Sequence, residues 1–243
     1  MAAPGADSLD ERLRALAQID RAGREKAYLK SALVHYGVPV PAMHRLAATA
    51  GRQLDRDELL MLVTPLWDEP PGAPVHERRF LAADLLATRS DLLTPTDVPL
   101  VERLLRESQT WALVDTLAPG VVGPLSENYP DELTPVLDRW AVDDDMWLRR
   151  AALLAHLVPL RSGGGDWGRF TRYADALLPD REFFVRKAIG WVLRDTARRR
   201  PGMVLAWVEP RASRMSGVTL REAVKPFRDE DRDRVLARGR LRR

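Results

Sequence analysis

Cysteine is absent from all 243 residues, which excludes disulfides, thiol nucleophiles and thiolate metal sites. Lysine is scarce, confined to Lys26, Lys30, Lys187 and Lys225, so arginine supplies nearly all the positive charge. Formal net charge is only +3, yet the isoelectric point is near 9.5. A guanidinium fork suits phosphate, which makes a polyanion a candidate partner. An Arg- and Ala-rich composition from a GC-rich genome accounts for the same numbers without one. No stretch approaches the roughly 18 apolar residues of a membrane span, and MAAPGADSLDERL lacks the apolar core of a secretory leader. An intracellular, cytoplasmic protein is expected, with no membrane partner. The four histidines, His35, His44, His76 and His156, are scattered along the sequence and predict no metal site. Runs of alternating apolar and polar residues bounded by turn signals are also missing, which argues against strands.

What is present is helical periodicity. It predicts helices at about 8–19, 22–35, 40–51, 55–66, 75–88, 97–107, 110–126, 131–140, 145–157, 167–177, 181–199 and 217–225. Ser8 and Asp131 read as helix starts, and PPGAP at 70–74 and SGGGD at 162–166 as breaks. Four segments then superimpose at intervals of 35, 36 and 37 residues: HERRFLAAD from His76, WALVDTLAP from Trp111, WLRRAALLA from Trp147 and FVRKAIGWV from Phe184. A period of this length is the mark of a HEAT-like all-α solenoid of antiparallel helix pairs, each burying its apolar face on its neighbours. The expected organisation is one repeat domain over 1–243. Residues 1–70 form capping helices, 71–200 the central repeats, and 201–243 a C-terminal cap with an Arg-rich tail.

Three of the copies carry adjacent cations: Arg78-Arg79, Arg149-Arg150 and Arg186-Lys187. Corresponding positions of a solenoid line up, so these pairs predict a basic stripe along a concave groove. The Trp111 copy breaks the pattern with Leu113-Val114, and places Asp115 where the others have Phe80, Ala151 and Ala188. A carboxylate admitted at an otherwise apolar position marks the expected functional centre. Trp111 and Asp115 are four residues apart, hence on one helix face. Trp191, seven after Phe184, is two turns along its own helix, and Arg150 belongs to the copy between them. Aromatic faces, a carboxylate and a guanidinium together suit a cationic substrate attached to a phosphate backbone. Singly, each has an ordinary structural role: Trp as packing, Asp as a hydrogen-bond acceptor, Arg as a solvated or paired cation.

The segments LWDEP (66–70), TWALVDTLAP (110–119), DDMWLRRAALL (144–154) and FFVRKAIGWVLRD (183–195) resemble the AlkD branch of the DNA alkylation repair glycosylases, over about residues 20–225. The resemblance implies a HEAT-like solenoid that holds duplex DNA and hydrolyses the N-glycosidic bond of N3- or N7-alkylated purines, without cofactor and as a monomer. By matching motif, Trp111, Asp115 and Trp191 fall at catalytic positions, Arg150 at a DNA-backbone contact, and Tyr28, in KAYLKSAL, near the DNA opposite the lesion. Arg149, Arg186, Lys187, Arg78 and Arg79 are expected to bind DNA through the basic stripe. Some relatives protect antibiotic-producing bacteria from bulky purine alkylators of the yatakemycin and duocarmycin type. The PPGAPVH and SGGGDW loops and the Arg-rich tail are either solvated decoration or contacts to such adducts. Two other classes fit the same architecture: a non-catalytic protein that recognises DNA structure, and a protein-interaction scaffold.

Overall fold

The helices begin where short polar side chains satisfy exposed amides. In the computed structural model, which describes residues 5–240, Asp55 accepts the Glu58 N–H at 2.9 Å while Glu58 accepts the Asp55 N–H at 3.0 Å, a reciprocal cap. Asp145, Asp166 and Ser216 cap later helices from one side only, each accepting a first-turn backbone N–H on its side chain. Gly163 (φ +97°) and Gly165 (φ +72°) supply the left-handed backbone in the expected Gly-rich break. Apart from a single bridge pairing Val34 with Val75, no extended pairing occurs among the described residues.

The chain divides into two compact units, the first ending at Leu125 and the second beginning at Ser126. The first unit holds α1 (Ala6–Ala15), α2 (Ile19–Leu29), α3 (Val40–Gly51), α4 (Arg56–Asp68), α5 (His76–Thr88), α6 (Val98–Glu107) and α7 (Trp111–Leu117), with α8 (Gly123–Asn128) at its boundary. Helix α5 is buried along almost its whole length and packs on α3, α4 and α7. Each Leu it buries contributes about 1.5–3 kcal/mol. The second unit holds α9 (Pro130–Trp140), α10 (Met146–Leu154), α11 (Leu157–Ser162), α12 (Trp167–Leu177), α13 (Phe183–Ala197), α14 (Pro201–Val208), α15 (Gly217–Ala223) and α16 (Asp229–Arg240). There α13 is the central helix, packed on α10, α11, α14 and α15.

The four superimposable segments fall at the starts of α5, α7, α10 and α13, so the repeat is one of helix N-termini. Two further helices share the spacing. The starts Val40, His76, Trp111, Met146, Phe183 and Gly217 follow at 36, 35, 35, 37 and 34 residues. The repeat therefore extends into the segments expected to be caps, through α3 and α15. Side-chain ties obey the same interval: His44–Asp84, Arg56–Asp97, Asp68–Arg103, Asp138–Arg172, Asp175–Arg211 and Lys187–Glu222 join residues 34 to 41 apart. Within each unit, these ties join one repeat to the next.

Three expectations are corrected. The first helix begins at Ala6, after Gly5, with Ser8 inside it. Helices α11, α14 and α16 were not expected; α16 occupies the charged tail, of which residues 241–243 lie outside the described residues. Helix α7 leads into a wider π-type turn over Ala118–Val122 before α8.

Candidate functional site

Thr110 caps α7, accepting the Ala112 N–H at 3.4 Å, and so sets Trp111 as the first residue of the helix. Leu113, Val114 and Leu117 are buried, which leaves Trp111, Ala112, Asp115 and Thr116 on the half-buried face. The expected juxtaposition of Trp111 and Asp115 is therefore present. The wide turn that follows brings Gly120 against α5: a Cβ there would lie 2.7 Å from the Ala87 Cβ. Turns of this type recur at functional sites. Tyr28, on α2, meets the Trp111 ring edge-on at 5.9 Å and 85°. It is 73% exposed, so its ring is available to a ligand.

The other named aromatic lies in the second unit. The half-buried Trp191 donates its Nε1–H to Asp195 Oδ2 at 3.2 Å, and Asp195, itself buried, also accepts from Arg194 Nε at 3.1 Å. Asp195 fixes the indole from beneath. The sequence reading missed it, although a signal was present: Trp191 and Asp195 repeat the four-residue spacing of Trp111 and Asp115. Arg150 is almost fully buried, donates from Nη1 to the Phe184 carbonyl oxygen, and lies 5.8 Å from the Phe184 ring centre. It holds the first turn of the helix that carries Trp191.

The dibasic pairs are engaged in bonds within the fold, and Arg78 and Arg79 are buried. Arg78 is 4% exposed and Arg79 7%. Arg78 donates to the Pro65 carbonyl at 3.0 Å and pairs with Asp10 at 3.2 Å. Arg79 donates to the carbonyls of Trp67 (3.1 Å) and Glu107 (2.7 Å) and stacks 4.9 Å above Trp67. These carbonyls end α4 and α6, where the last turn of a helix has no partner of its own. Arg149 bonds Asp180 at 2.8 Å and the Asp143 and Asp144 carbonyls; Arg186 bonds the Asp180 carbonyl at 2.6 Å; Lys187 bonds Glu222 at 2.7 Å. The repeated cations recur because each repeat has carbonyls and carboxylates to satisfy. A different basic surface lies in the second unit, where Arg194, Arg198 and Lys225 line an open cleft. These three were not singled out from the sequence.

The fold is that of AlkD-type helical repeat proteins. A protein of Enterococcus faecalis described as a predicted DNA alkylation repair enzyme is similar over 88% of this chain and 97% of its own, at 20% identity and a TM-score of 0.75. AlkD2 from Streptococcus mutans is similar over 91% of this chain and 100% of its own, at 17% identity and a TM-score of 0.60. A comparison with curated protein sequences gave no significant match. Residues 9–227 match the DNA alkylation repair enzyme family, and the chain belongs to that family. No described helix is long and apolar enough to cross a membrane.

Proposed function

We propose that this repair protein is a DNA glycosylase that hydrolyses the N-glycosidic bond of N3- or N7-alkylated purines in duplex DNA. The observation that carries the reading is Asp115 beside Trp111 on the half-buried face of α7, in the one of the four superimposable segments where a carboxylate replaces an apolar residue. Tyr28 packed edge-on against Trp111 adds a second, exposed aromatic ring to that face.

Alkylation at N3 or N7 makes the purine cationic. The bond to C1′ breaks with its electron pair going to the base, which leaves neutral and needs little general-acid help. Positive charge grows on the sugar instead. Asp115 stabilises that charge and orients the water that adds to C1′, whose proton passes to the carboxylate or to solvent. Trp111 presents a ring face to sugar hydrogens that become more positive as the bond lengthens, and the resemblance gives Trp191 the same role. The reaction itself requires no metal.

The test is base release from duplex DNA containing N7-methylguanine and, in parallel, a bulky N3-alkyladenine. Asp115→Asn is expected to slow release at least tenfold, about 1.4 kcal/mol of barrier, with DNA affinity nearly unchanged. Affinity lost in step with activity removes Asp115 from the chemistry. No release by the wild type, despite tight binding, makes the chain a non-catalytic DNA-binding protein. The faster of the two substrates separates general repair from resistance to bulky alkylators.

A further inference from the structure

Helix α2 is weakly anchored for an element that carries a candidate site residue. Of its eleven residues only Leu29 is buried, and Ile19 is 90% exposed. It nevertheless positions Tyr28 against Trp111. Glu25, one turn before Tyr28, faces inward toward two residues from other segments. A carboxylate oxygen of Glu25, a ring nitrogen of His35 and a carboxylate oxygen of Glu77 all lie within 4.8 Å of one another.

We propose that Glu25, His35 and Glu77 form a divalent-cation site that fastens α2 to the 34–38 segment and to α5. Four observations support it. First, Glu25 Oε2 and both ring nitrogens of His35 are buried without a hydrogen-bond partner among the described residues. Native structures seldom leave such atoms unsatisfied. Second, the three groups are close together without hydrogen-bonding to one another. Ligands held about 2.0–2.2 Å from a tetrahedral ion sit about 3.4 Å apart, so a small closure of the cluster completes the geometry. Third, the carboxylates have capacity to spare. Glu77 accepts the amides of Tyr36 (3.0 Å), Gly37 (2.6 Å) and Val38 (3.3 Å), three of about four lone-pair positions on a carboxylate. Glu25 accepts from Arg21 at Oε1 (2.6 Å) and keeps Oε2. Fourth, the His35 ring is held in place by stacking on His76 at 4.6 Å and 14°.

Two carboxylates attract a divalent ion, although Glu25 shares its charge with Arg21. The donor set of one nitrogen and two oxygens suits zinc or manganese and leaves a coordination position for water. The scattered histidines of the sequence thus include a stacked pair, and one of that pair completes the cluster. The ion would act on structure, by fixing the helix that presents Tyr28, and the inference is independent of the proposed chemistry.

The full chain, stripped with chelator and dialysed, is titrated with zinc chloride and separately with manganese chloride by calorimetry, with melting temperature followed in parallel. One ion per chain is expected, with affinity at least tenfold weaker in Glu25→Gln and in His35→Gln, and a metal-dependent rise in melting temperature that both variants lose. Glu25→Gln removes one ligand from a half-buried helix face; should it not fold, His35→Gln carries the comparison. No uptake of either metal by the wild type overturns the site, as does undiminished uptake by the folded variants, which places the ion elsewhere.

Discussion

Asp115 and Asp195 each follow a tryptophan by four residues, yet they occupy different surroundings. Asp195 is buried under its own indole and accepts its N–H, whereas Asp115 shares the half-buried face of α7 with Trp111. On the proposed chemistry Asp195 is a positioning residue. Asp195→Leu, which removes the acceptor, is expected to slow base release about tenfold, or about 1.4 kcal/mol, while Asp195→Asn, which keeps an oxygen facing the indole, restores most of it. Equal loss in both variants makes the negative charge, rather than the hydrogen bond, the important property. His156 shows a separate residue-scale effect. Burial, followed by repulsion from Arg169, holds its pKa at about 4 in the fold, against about 6.5 in the unfolded chain. The unfolded chain therefore takes up a proton first as pH falls through that window. Stability present above about 6.5 is lost progressively towards 4. Denaturant melts at pH 7.5 and 5 are expected to show a loss from this group of about 2 kcal/mol, absent in His156→Leu. The same pH dependence in both proteins assigns the loss to other groups.

At the scale of elements, close approach of α13 and α15 depends on Gly190. A Cβ there would meet the Glu222 Cβ at 2.7 Å and the Thr219 carbonyl at 2.9 Å. Gly190→Ala is therefore expected to destabilise the protein by about 1–3 kcal/mol, seen as a lower urea midpoint, despite the better helix propensity of alanine. A higher midpoint overturns the packing argument. Which elements were legible in the sequence follows from the same physics. Helices α3 to α7 were readable because their apolar residues recur at helical spacing and their ends carry caps or prolines. Helix α16 was not, since Val235 is its only buried residue and its charges read as a tail. Helix α11 is six residues with a proline inside, too short to establish a period. Helices α3 and α15 were visible as helices but not as repeats, because neither has an aromatic ring at its start like those of His76, Trp111, Trp147 and Phe184, nor carries the dibasic pair. Trp111 and Asp115 were singled out through the broken repeat, Trp191 through its place in the Phe184 copy, and Tyr28 only through the resemblance. Asp195 was overlooked although its four-residue spacing from Trp191 is in the sequence, whereas the Glu25–His35–Glu77 cluster depends on side-chain orientation and long-range pairing that no local pattern contains.

For the whole molecule, abundant arginine does not translate into an equally large DNA surface, because many guanidiniums are committed to internal carbonyls. Besides Arg78 and Arg79, Arg89 binds the Gly51 and Leu54 carbonyls, Arg199 that of Ser162, and Arg200 those of Leu160 and Gly164. DNA affinity measured across salt concentrations separates the two kinds of cation. Arg198→Ala, in the open cleft, is expected to lower the slope of log K against log salt by about one without changing the melting temperature. Arg150→Ala distinguishes two roles: a slope lowered by about one places its guanidinium at a phosphate, and an unchanged slope with a lower melting temperature leaves it as the tie to Phe184. An unchanged slope in Arg198→Ala removes the cleft from the DNA surface.

The one-repeat reach of these ties also bears on how such a chain can change length over generations. A side chain that finds its partner 34 to 41 residues away depends on the adjoining block and on little beyond it. Duplication of a block in the gene would supply each copied basic side chain with a copied carboxylate, and in-frame loss of one would bring a surviving basic side chain to the carboxylate of the next block. A lineage built this way can lengthen or shorten by whole blocks while retaining most of its internal bonds.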